Sequence, residues 1–209
     1  MSLKAKIKQY GFKNSLKRAA KSLLRRIGIQ YESFYLMVNH IDQDDLKQKM
    51  ERYDYSDVKE LTYNDFKLGD PSVFTPEKME LIKSRYETGK YWAYGLVENN
   101  ILAYSCWISL SQINFPEKYQ TNIKLDNNQG FLEDAYCHPA FRGKGLHSKM
   151  NLFRIHQLNK KNKREIFVVL VKDNIPALKS QLKSGFQISK QMSFLKIFGK
   201  LYTFEKVMQ

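Results

Sequence analysis

The sequence has few of the residues on which several classes of protein depend. Its 209 residues include two cysteines, five prolines, ten glycines and four histidines. Cys106 and Cys137 each lie in an apolar or aromatic stretch that reads as a strand, which favours reduced thiols over a disulfide framework. So few cysteines and histidines also leave a metal centre short of ligands. We therefore expect neither a disulfide scaffold nor a metal cofactor.

Long hydrophobic runs are also absent. The longest uninterrupted apolar run has six residues, 166–171, whereas a membrane-spanning helix needs roughly 20. The first residues are basic, but no unbroken apolar segment with a small-residue cleavage site follows them, as a secretory signal would require. These absences predict a cytoplasmic protein without a membrane span.

Apolar and aromatic residues are present in ordinary amounts. Hydrophobic residues make up 43% of the chain and aromatic residues 13%, which is enough to bury a core and excludes a disordered polymer. A length of 209 residues suits one main core with an appendage, but not two full catalytic domains. The composition therefore predicts a single folded domain with an extension.

Positive charge is concentrated at the start of the chain. The net charge is +14, but the first 31 residues contain nine lysines and arginines and no acidic residue, while the other 178 carry 26 basic and 21 acidic residues. Most of the excess therefore belongs to a leader segment, and the body is an ordinary, mildly basic domain. We do not expect nucleic acid to be a partner.

The leader has the periodicity of an amphipathic helix. Apolar residues recur every three to four positions between basic ones, and Gly28 ends the pattern in the usual C-terminal position: Phe12, Leu16, Ala19, Ala20, Leu23, Leu24 and Ile27. Such a helix can pack on its own domain or on a second subunit, which would give a homodimer. Residues 4–26 can also lie on the anionic inner face of a membrane. The sequence leaves these alternatives open.

The rest of the chain alternates between strand and helix patterns. A strand at 31–41 and a short helix capped by Asp42 or Asp44 come first, and a helix opened by Thr75 and Pro76 ends at Gly89. Two apolar runs split by Asn99-Asn100 predict a hairpin, and 111–130 lacks periodicity and reads as a long loop. Later elements are predicted at 131–137, 143–161, 165–171, 175–184, 187–197 and 201–207. Together these elements predict an α/β fold with a mixed sheet.

The chemistry concentrates where the strand 131–137 meets the following helix, at Arg142-Gly143-Lys144-Gly145. Glycines at 143 and 145 have no Cβ, so backbone N–H groups there can approach a bulky anion closely. The N-terminus of a helix adds a partial positive charge of about +0.5. The pattern therefore indicates a phosphate-binding turn, although two glycines alone are equally typical of a plain tight turn.

The surrounding sequence resembles the GCN5-related N-acetyltransferase (GNAT) superfamily. The family's acyl-coenzyme A signature is Arg or Gln, two residues, Gly, one residue, then Gly or Ala, and the segment from Arg142 to His147 matches it except at its last position. The later Asn174-Ile175-Pro176-Ala177, followed by Gly185-Phe186, looks like the family's second motif. The resemblance covers about residues 57–207. It implies a GNAT-like domain at 57–209, preceded by a basic extension at 1–56.

The resemblance also implies a reaction and a set of binding residues. Acetyl-coenzyme A would be the cosubstrate, and a primary amine would attack its thioester directly, without a metal. The pantetheine arm would pair with the backbone of the strand before the turn, and the pyrophosphate would bind the amides of the turn. The residues implied in binding acetyl-coenzyme A are Ala135, Cys137, Arg142, Gly143, Lys144, Gly145, Leu146, His147 and Asn174.

Glu133 matches a position at which some members, polyamine acetyltransferases among them, carry a carboxylate near the acceptor amine. It is the candidate general base, acting directly or through water; a structural role, such as pairing with a lysine, is the alternative. The two-residue period of a strand places the neighbouring Asp134 on the opposite face, so only one of the two carboxylates is expected in the cleft.

Two positions depart from the family pattern. His147 stands where a Gly or Ala is usual, so its side chain has to point away from the turn. Gln181 stands where many members have the tyrosine that protonates the departing thiolate, and an amide cannot donate that proton. Besides a transferase for a small-molecule amine, amino sugar or peptide, two alternatives remain: a non-catalytic coenzyme A-binding module, and an interaction or membrane-surface protein that acts through its leader.

Overall fold

A computed structural model describes residues 23–208. An eight-stranded sheet forms the centre, and a two-stranded hairpin lies beside it. The strands are β1 (Ile29–His40), β2 (Lys59–Glu60), β3 (Tyr91–Glu98), β4 (Ile101–Ser109), β5 (Gln112–Asn114), β6 (Asn122–Lys124), β7 (Gln129–Cys137), β8 (Glu165–Val171), β9 (Gln187–Ile197) and β10 (Lys200–Val207). The spatial order of the large sheet is β10-β9-β1-β8-β7-β4-β3-β2, and β5 pairs with β6.

Within residues 23–208, five α-helices follow β1: α1 (Gln43–Met50), α2 (Tyr63–Phe66), α3 (Pro76–Thr88), α4 (Leu146–Lys160) and α5 (Ile175–Lys183). Their ends follow the sequence signals. Asp42 caps α1, Thr75 caps α3 with proline in its first turn, and Gly89 ends α3 in the left-handed region. The predicted α/β fold with a mixed sheet is confirmed, because β7 and β8 run parallel and the other pairs are antiparallel.

The hairpin predicted around Asn99-Asn100 is also confirmed. β3 pairs with β4 from Tyr91↔Ser109 to Glu98↔Ile101. Both asparagines have positive φ, 51° and 59°, which is the conformation that a two-residue turn of type I′ requires and that asparagine tolerates. Side-chain chemistry at two adjacent positions therefore sets this turn.

The strand β1 lies inside the sheet, between β8 and β9. It pairs antiparallel with β8 from Phe34↔Val171 to His40↔Glu165, and with β9 along its other edge. Residues 29–50 are therefore part of the same packed body as the rest of the described chain. The extension predicted at residues 1–56 thus contributes β1 to the sheet that also contains the strands of the domain predicted at 57–209.

Buried side chains form three groups on the two faces of the sheet. One group packs α1 and α4 on the sheet through residues such as Leu46, Met150 and Leu158. On the other face, Phe66 and Ile82 of α2 and α3 pack on β3 and β4. The third group joins β1 and β9 to the β5–β6 hairpin: Phe34, Leu36, Ile113, Phe115, Tyr119, Leu125, Phe131, Met192 and Phe194.

The segment 111–130 is not the plain loop that its lack of periodicity predicted. It folds into β5, a single 3-10 turn (Glu117–Tyr119) and β6. Strands of three residues are too short for a two-residue alternation to show, and their Asn and Gln residues weaken the strand signal further. The hairpin nevertheless has a core of its own, since Ile113, Phe115 and Tyr119 are each at most 6% exposed.

Most of the predicted amphipathic leader helix lies outside the described residues. Its last part is described: residues 23–26 are helical, and Gly28 has a φ of +79°, as expected for the residue that ends a helix. Within residues 23–208 no helix combines the length and the apolar character needed to cross a bilayer.

The central place of β1 makes a stability prediction. Met37 is fully buried and is paired with Val168 of β8 on one side and Ile188 of β9 on the other. Met37→Ala should lower the free energy of unfolding by about 2–5 kcal/mol, because it removes buried methylenes and leaves a cavity. Leu201→Ala on the edge strand β10, where the side chain is 36% exposed, is the control and should cost much less. Urea unfolding measures both, and equal losses would contradict the central position of β1.

Candidate active site

The cleft of the molecule opens where two parallel strands part. β7 and β8 pair only from Gln129↔Glu165 to Leu132↔Val168, although β7 continues to Cys137 and β8 to Val171. Beyond Leu132, the backbone of β7 that faces β8 is therefore no longer used in a ladder. A gap of this kind offers backbone donors and acceptors to an extended ligand.

A β-bulge changes the direction of the side chains at this point. On the other edge of β7, the pairing with β4 shifts between Ser105↔Tyr136 and Trp107↔Glu133. Asp134 has a φ of +49°, the left-handed conformation of an extra residue in a bulge. The prediction that Glu133 and Asp134 point to opposite faces is wrong, because the bulge interrupts the two-residue period and lets both carboxylates reach the same arginine.

That arginine is Arg85 of α3. Its guanidinium donates from Nη2 to Glu133 Oε1 at 2.8 Å and from Nη1 to Asp134 Oδ2 at 2.9 Å. Lys78, two turns earlier on the same helix, forms a second ion pair with Asp134. Arg85 is only 6% exposed and lies 5.0 Å from the centre of the Trp107 ring. We name these four side chains (Lys78, Arg85, Glu133 and Asp134) the ion cluster.

The pKa values of the two carboxyl groups in the ion cluster are shifted in opposite directions. Burial raises the pKa of Glu133, with Arg85 and Asn114 opposing that rise. Burial alone would also raise the pKa of Asp134, but Lys78 and Arg85 outweigh it and hold that pKa below its usual value. Asp134 therefore stays ionised as a partner for the cations, while Glu133 is the stronger base of the pair.

The β5–β6 hairpin holds Glu133 from the opposite side. Asn114 Nδ2 donates to both carboxylate oxygens of Glu133 at 3.2 Å and lies 3.2 Å from the hydroxyl of Tyr91. Gln112 Nε2 in turn donates to Asn114 Oδ1 at 2.7 Å. Oε1 of Glu133 thus accepts from two residues and Oε2 from one, which leaves an acceptor site on Oε2 for a proton or a water.

A second buried arginine, Arg154, bonds to the backbone beside the bulge. Arg154 of α4 is 2% exposed, and its Nη1 donates to the backbone oxygens of Trp107 at 3.4 Å and Glu133 at 3.2 Å. Its Nη2 donates to the side chain of Asn151. Arg154 thus donates to one carbonyl group on each of the two strands, β4 and β7, next to the place where their register shifts.

The cleft itself has a volume of about 740 Å³, within the range of small-molecule sites. One wall is α3, with Leu81, Ser84, Arg85 and Thr88; the floor is β7, from Phe131 to Asp134, with Val169 and Val171 of β8. The β5–β6 hairpin forms the other wall. Glu133 and Asp134 line this cleft, so of the predicted site residues the structure places Glu133 in it.

The predicted anion-binding residues lie at the end of β7, on the turn that leads into α4. Gly143 and Gly145 have φ values of +81° and +75°, and a Cβ at either position would meet no atom within 4 Å. Gly145 is the residue before α4 and provides no side-chain cap. The N–H groups of the first turn of α4, from Leu146 onward, thus have no intrahelical acceptor.

The neighbours of these glycines are largely exposed. Arg142 and Lys144 are exposed, and Arg142 Nε donates to the carbonyl of Cys137 at 3.3 Å. Ala135 is exposed and Cys137 is half-buried on the part of β7 that has left β8. Asn174 lies at the start of α5, where its side chain accepts a hydrogen bond from the N–H of Ala177 at 3.3 Å. The turn, the free part of β7 and the start of α5 are the predicted surfaces for acetyl-coenzyme A.

The side chain of His147 contacts the sheet. Its Nδ1 lies 2.9 Å from the hydroxyl of Tyr104, and its Nε2 lies 3.4 Å from the amide of Asn151. Burial lowers the pKa of His147 to about 4, with a further contribution from Arg154, so the ring is neutral at pH 7. Both ring nitrogens of His147 are therefore in contact with side chains of the protein, Tyr104 on one side and Asn151 on the other.

The side-chain amide of Gln181 and the hydroxyl groups of Tyr104 and Tyr136 are buried. Gln181 is 2% exposed, and its Oε1 has no hydrogen-bond partner in the described part of the chain. Tyr104 is 1% exposed, and burial raises its pKa well above the usual value. The hydroxyl of Tyr136 is also buried without a partner among residues 23–208. None of them is an exposed proton donor.

Sequence reasoning missed the residues that bond to Glu133 and Asp134. Lys78, Arg85, Asn114 and Arg154 were not among the candidate residues. Arg85 left one signal: it is three residues after Ile82, on the stripe of α3 that is buried. A charged residue at an apolar position of an amphipathic helix needs a buried counter-charge, and that requirement could have pointed to the carboxylates.

Solved structures share this fold. A putative GNAT-family acetyltransferase from Novosphingobium aromaticivorans has a TM-score of 0.55 at 11% identity, over 87% of this chain and 69% of that chain. A GNAT-family acetyltransferase from Colwellia psychrerythraea has a TM-score of 0.55 at 15% identity, over 88% of this chain and 62% of its own. AAC(6')-Iy in complex with a bisubstrate analog, CoA-S-monomethyl-acetylneamine, has a TM-score of 0.50 at 12% identity, over 63% of this chain and 90% of its own.

The fold of GNAT acetyltransferases is thereby confirmed for this chain. No protein-family model matches the sequence, and neither does any curated protein. The chain spans less than two thirds of the length of the Colwellia structure. Identities of 11–15% relate the chains by fold, so the chemistry has to be argued from the site.

Removing the central cation of the ion cluster should destabilise the protein in a pH-dependent way. Arg85→Met leaves two largely buried carboxylates, 12% and 26% exposed, with one lysine; breaking a buried ion pair from one side costs about 3–5 kcal/mol. The depressed pKa of Asp134 stabilises the fold above the ordinary aspartate pKa of 3.8, and this contribution is lost as the pH falls below that value. The loss in Arg85→Met should therefore be largest near pH 7 and shrink toward about pH 3, where the carboxyl groups take up protons. Urea unfolding at pH 7 and at about pH 3 measures it.

Lys83→Met is the matched control for this prediction, because Lys83 lies on the same helix and is exposed. It should change the free energy of unfolding by less than about 0.5 kcal/mol. A loss in Arg85→Met that is the same at both pH values would show that the arginine acts through packing alone.

Proposed function

We propose that the chain is an acyl-coenzyme A-dependent N-acetyltransferase, which transfers the acetyl group of acetyl-coenzyme A to a primary amine of a small molecule. The observation that carries the proposal is the course of β7: the strand parts from β8 beside a buried carboxylate and then leads directly into a glycine turn at the N-terminus of a helix. An acyl acceptor site, an extended gap and an anion site thus follow one another along one strand.

The glycine turn is suited to a pyrophosphate. Positive φ at Gly143 and Gly145 turns successive N–H groups to one side, and the space above both glycines is open. The first-turn amides of α4 add donors and the positive end of the helix dipole. Arg142 and Lys144 provide exposed positive charge next to it. All of these favour a diphosphate group over a neutral ligand.

The gap between β7 and β8 is suited to the pantetheine arm. The arm carries two amide groups, and the backbone of Ala135 and Cys137 lies where β7 has no strand partner on the β8 side. Pairing of an extended ligand with a free strand edge uses backbone groups only. The side chains at these positions therefore need not be polar.

Glu133 is the proposed general base. The nitrogen of a neutral amine attacks the thioester carbonyl carbon, a C–N bond forms, the C–S bond breaks, and one proton leaves the nitrogen. Oε2 of Glu133 has a free acceptor site in the cleft, and burial raises its pKa toward the range of an effective base. Glu133 accepts that proton and afterwards releases it to solvent, while the coenzyme A thiolate takes a proton from water, so the protons balance. A thiol with a pKa near that of cysteine, about 8.5, is protonated in this way at neutral pH.

A coenzyme A-binding module without catalysis is the second candidate. It is favoured by Gln181, a buried amide at the position where the family pattern has an acid. The two candidates share the anion site and differ in the transfer step. Release of free thiol from acetyl-coenzyme A in the presence of amines separates them.

The first test concerns the anion site. Adding acetyl-coenzyme A at 100 times its dissociation constant should stabilise the wild type by about 2.7 kcal/mol. Gly145→Glu should abolish the resulting shift in melting temperature, because a carboxylate would occupy the turn. Gly199→Glu is the matched control: Gly199 has a φ of +86° and open space as well, but lies in the turn between β9 and β10. A wild-type shift in Gly145→Glu would refute the site.

The second test concerns the base. Glu133→Gln should keep the shift with acetyl-coenzyme A but lower amine-dependent thiol release by about 10²–10⁴-fold, the usual contribution of a general base. Glu87→Gln, on the exposed side of α3, is the control and should leave both unchanged. An unchanged rate in Glu133→Gln, with the shift retained, would remove Glu133 from the reaction.

A further inference from the structure

We infer that the protein docks on an anionic membrane surface through one end of its large sheet, where the tip of the β9–β10 hairpin meets the end of the leader helix. The inference is independent of the proposed function, because the residues that carry it do not line the cleft. It depends on exposed apolar side chains at this end of the sheet, on the basic residues beside them and on the place where the leader joins them.

The tip of the β9–β10 hairpin contains a residue that does not suit its backbone. Phe198 and Gly199 form the turn, with φ values of +45° and +86°, and a two-residue turn with positive φ at both positions is usually built from Asn, Asp or Gly. A bulky side chain in this conformation is unfavourable. The Phe198 side chain is nevertheless 80% exposed, so it gains little from packing in the fold. A strained position with so little packing points to a contact outside the described chain.

The end of the leader helix lies directly beside this tip. The N–H of Phe198 donates to the carbonyl of Gly28 at 3.0 Å, and Ile29 pairs with Ile197 in the sheet. Residues 23–26 are helical, and three apolar side chains in or next to this last turn are 40–63% exposed: Leu23, Leu24 and Ile27. We name these three residues and Phe198 the end patch. The apolar stripe of the leader helix thus continues to the hairpin tip and faces solvent at both.

Basic residues accompany the end patch. The two segments that carry it, 23–32 and 196–202, contain four basic residues and one acidic residue. The acidic residue, Glu32, already bonds to Arg25 at 2.7 Å and to Lys118 of the β5–β6 hairpin at 2.9 Å. The other three basic side chains form no ion pair in the described part of the chain: Arg26, Lys196 and Lys200. This end of the sheet therefore offers positive charge to a partner.

The leader joins the described structure at the end patch and brings more positive charge to it. Residues 1–22 directly precede Leu23 and contain seven lysines and arginines and no acidic residue. Basic side chains near an anionic membrane are attracted to its headgroups, while apolar and aromatic side chains enter the boundary between headgroups and acyl chains. The partner must therefore combine negative charge with an apolar interior, and a bilayer that contains anionic lipids has both.

A second copy of the chain or a nucleic acid fits this surface less well. In a two-fold interface the same patch meets itself, so the unpaired cations of each copy would face their equivalents and repel them. A nucleic acid matches the charge, but it provides no apolar phase for Ile27 and Phe198. Charge and apolar exposure together therefore favour the membrane.

The test is co-sedimentation of the full chain with two kinds of vesicle. One contains phosphatidylcholine alone, and the other contains phosphatidylcholine with about one third phosphatidylserine. We expect binding to the second kind to be at least about tenfold tighter at about 0.1 M salt, and this difference to shrink at about 1 M salt, where charges are screened within about 3 Å. Equal binding to both kinds, or no binding to either, would overturn the inference.

Phe198→Asn tests the apolar contact without harming the turn. Asparagine tolerates positive φ, so the melting temperature should not fall, while the affinity for phosphatidylserine vesicles should fall by about tenfold or more because the ring no longer enters the bilayer. Val207→Asn, which removes an exposed apolar side chain at the other end of β10, is the control and should bind as the wild type. Wild-type binding by Phe198→Asn would remove the tip from the contact.

A charge variant tests the same surface independently. Arg26→Gln combined with Lys200→Gln should lower the affinity for phosphatidylserine vesicles by about tenfold or more and leave the affinity for phosphatidylcholine vesicles unchanged. Lys83→Gln combined with Lys90→Gln is the matched control, because it removes the same charge from exposed positions on and after α3. Equal losses in the two double variants would show that net charge acts without the end patch and would overturn the inference.

Two further measurements decide between the membrane and the other partners. A dimer in sedimentation equilibrium that Phe198→Asn dissociates, without vesicle binding by the wild type, would assign the end patch to a second copy. Binding of a labelled RNA without vesicle binding would assign it to nucleic acid. Either result overturns the inference and leaves the proposed transferase activity standing, because the cleft is not involved.

Discussion

The contact of Arg85 with two carboxylates is the interaction on which the site depends. Arg85 belongs to α3, and Glu133 and Asp134 belong to β7, so one guanidinium joins the helix that forms a wall of the cleft to the strand that forms its floor. The pair is buried, and a buried charge without a partner is costly. If the helix moved away from the strand, the charges would lose their partners. The contact therefore holds α3 against β7 and keeps the width of the cleft.

A strand with ordinary pleat could not offer both carboxylates to one arginine. The bulge at Asp134 provides the change of direction, and it interrupts the ladder with β4 at the same place. Arg154 satisfies carbonyl groups at this interruption. On the other edge, β7 leaves β8 after Leu132. One short stretch of backbone thus loses regular partners on both sides, and the cost is offset on one side by an arginine and on the other, we propose, by the ligand.

Much of the fold could be predicted because it depends on local signals. Caps at Asp42 and Thr75, the turn at Asn99-Asn100 and the end of a helix at Gly89 each follow from the conformational preferences of one or two residues. The glycine turn of the candidate anion site belongs to the same class. These features require no knowledge of which distant segments meet.

The features that could not be predicted depend on long-range pairing. The place of β1 between β8 and β9 joins residues more than 120 positions apart, and no local pattern in residues 29–40 encodes it. The same holds for Arg85 and Asn114, which approach Glu133 from 48 and 19 positions away. The orientation of Asp134 was wrongly predicted because a bulge breaks the alternation on which such predictions depend, and a bulge forms in response to both neighbouring strands.

The contacts that fix the position of Glu133 also lower its pKa, and its surroundings compensate for this effect. Arg85 and Asn114 fix the carboxylate in one position, yet each of them also stabilises its ionised form and so weakens it as a base. Burial acts in the opposite direction and is the larger influence, so the pKa of Glu133 is raised. Had the same contacts been made at the surface, where desolvation is small, the carboxylate would be fixed but less basic. A base that is both oriented and able to accept a proton from an amine thus requires a position shielded from water, and α3 and the β5–β6 hairpin provide it because they form the walls on either side of Glu133.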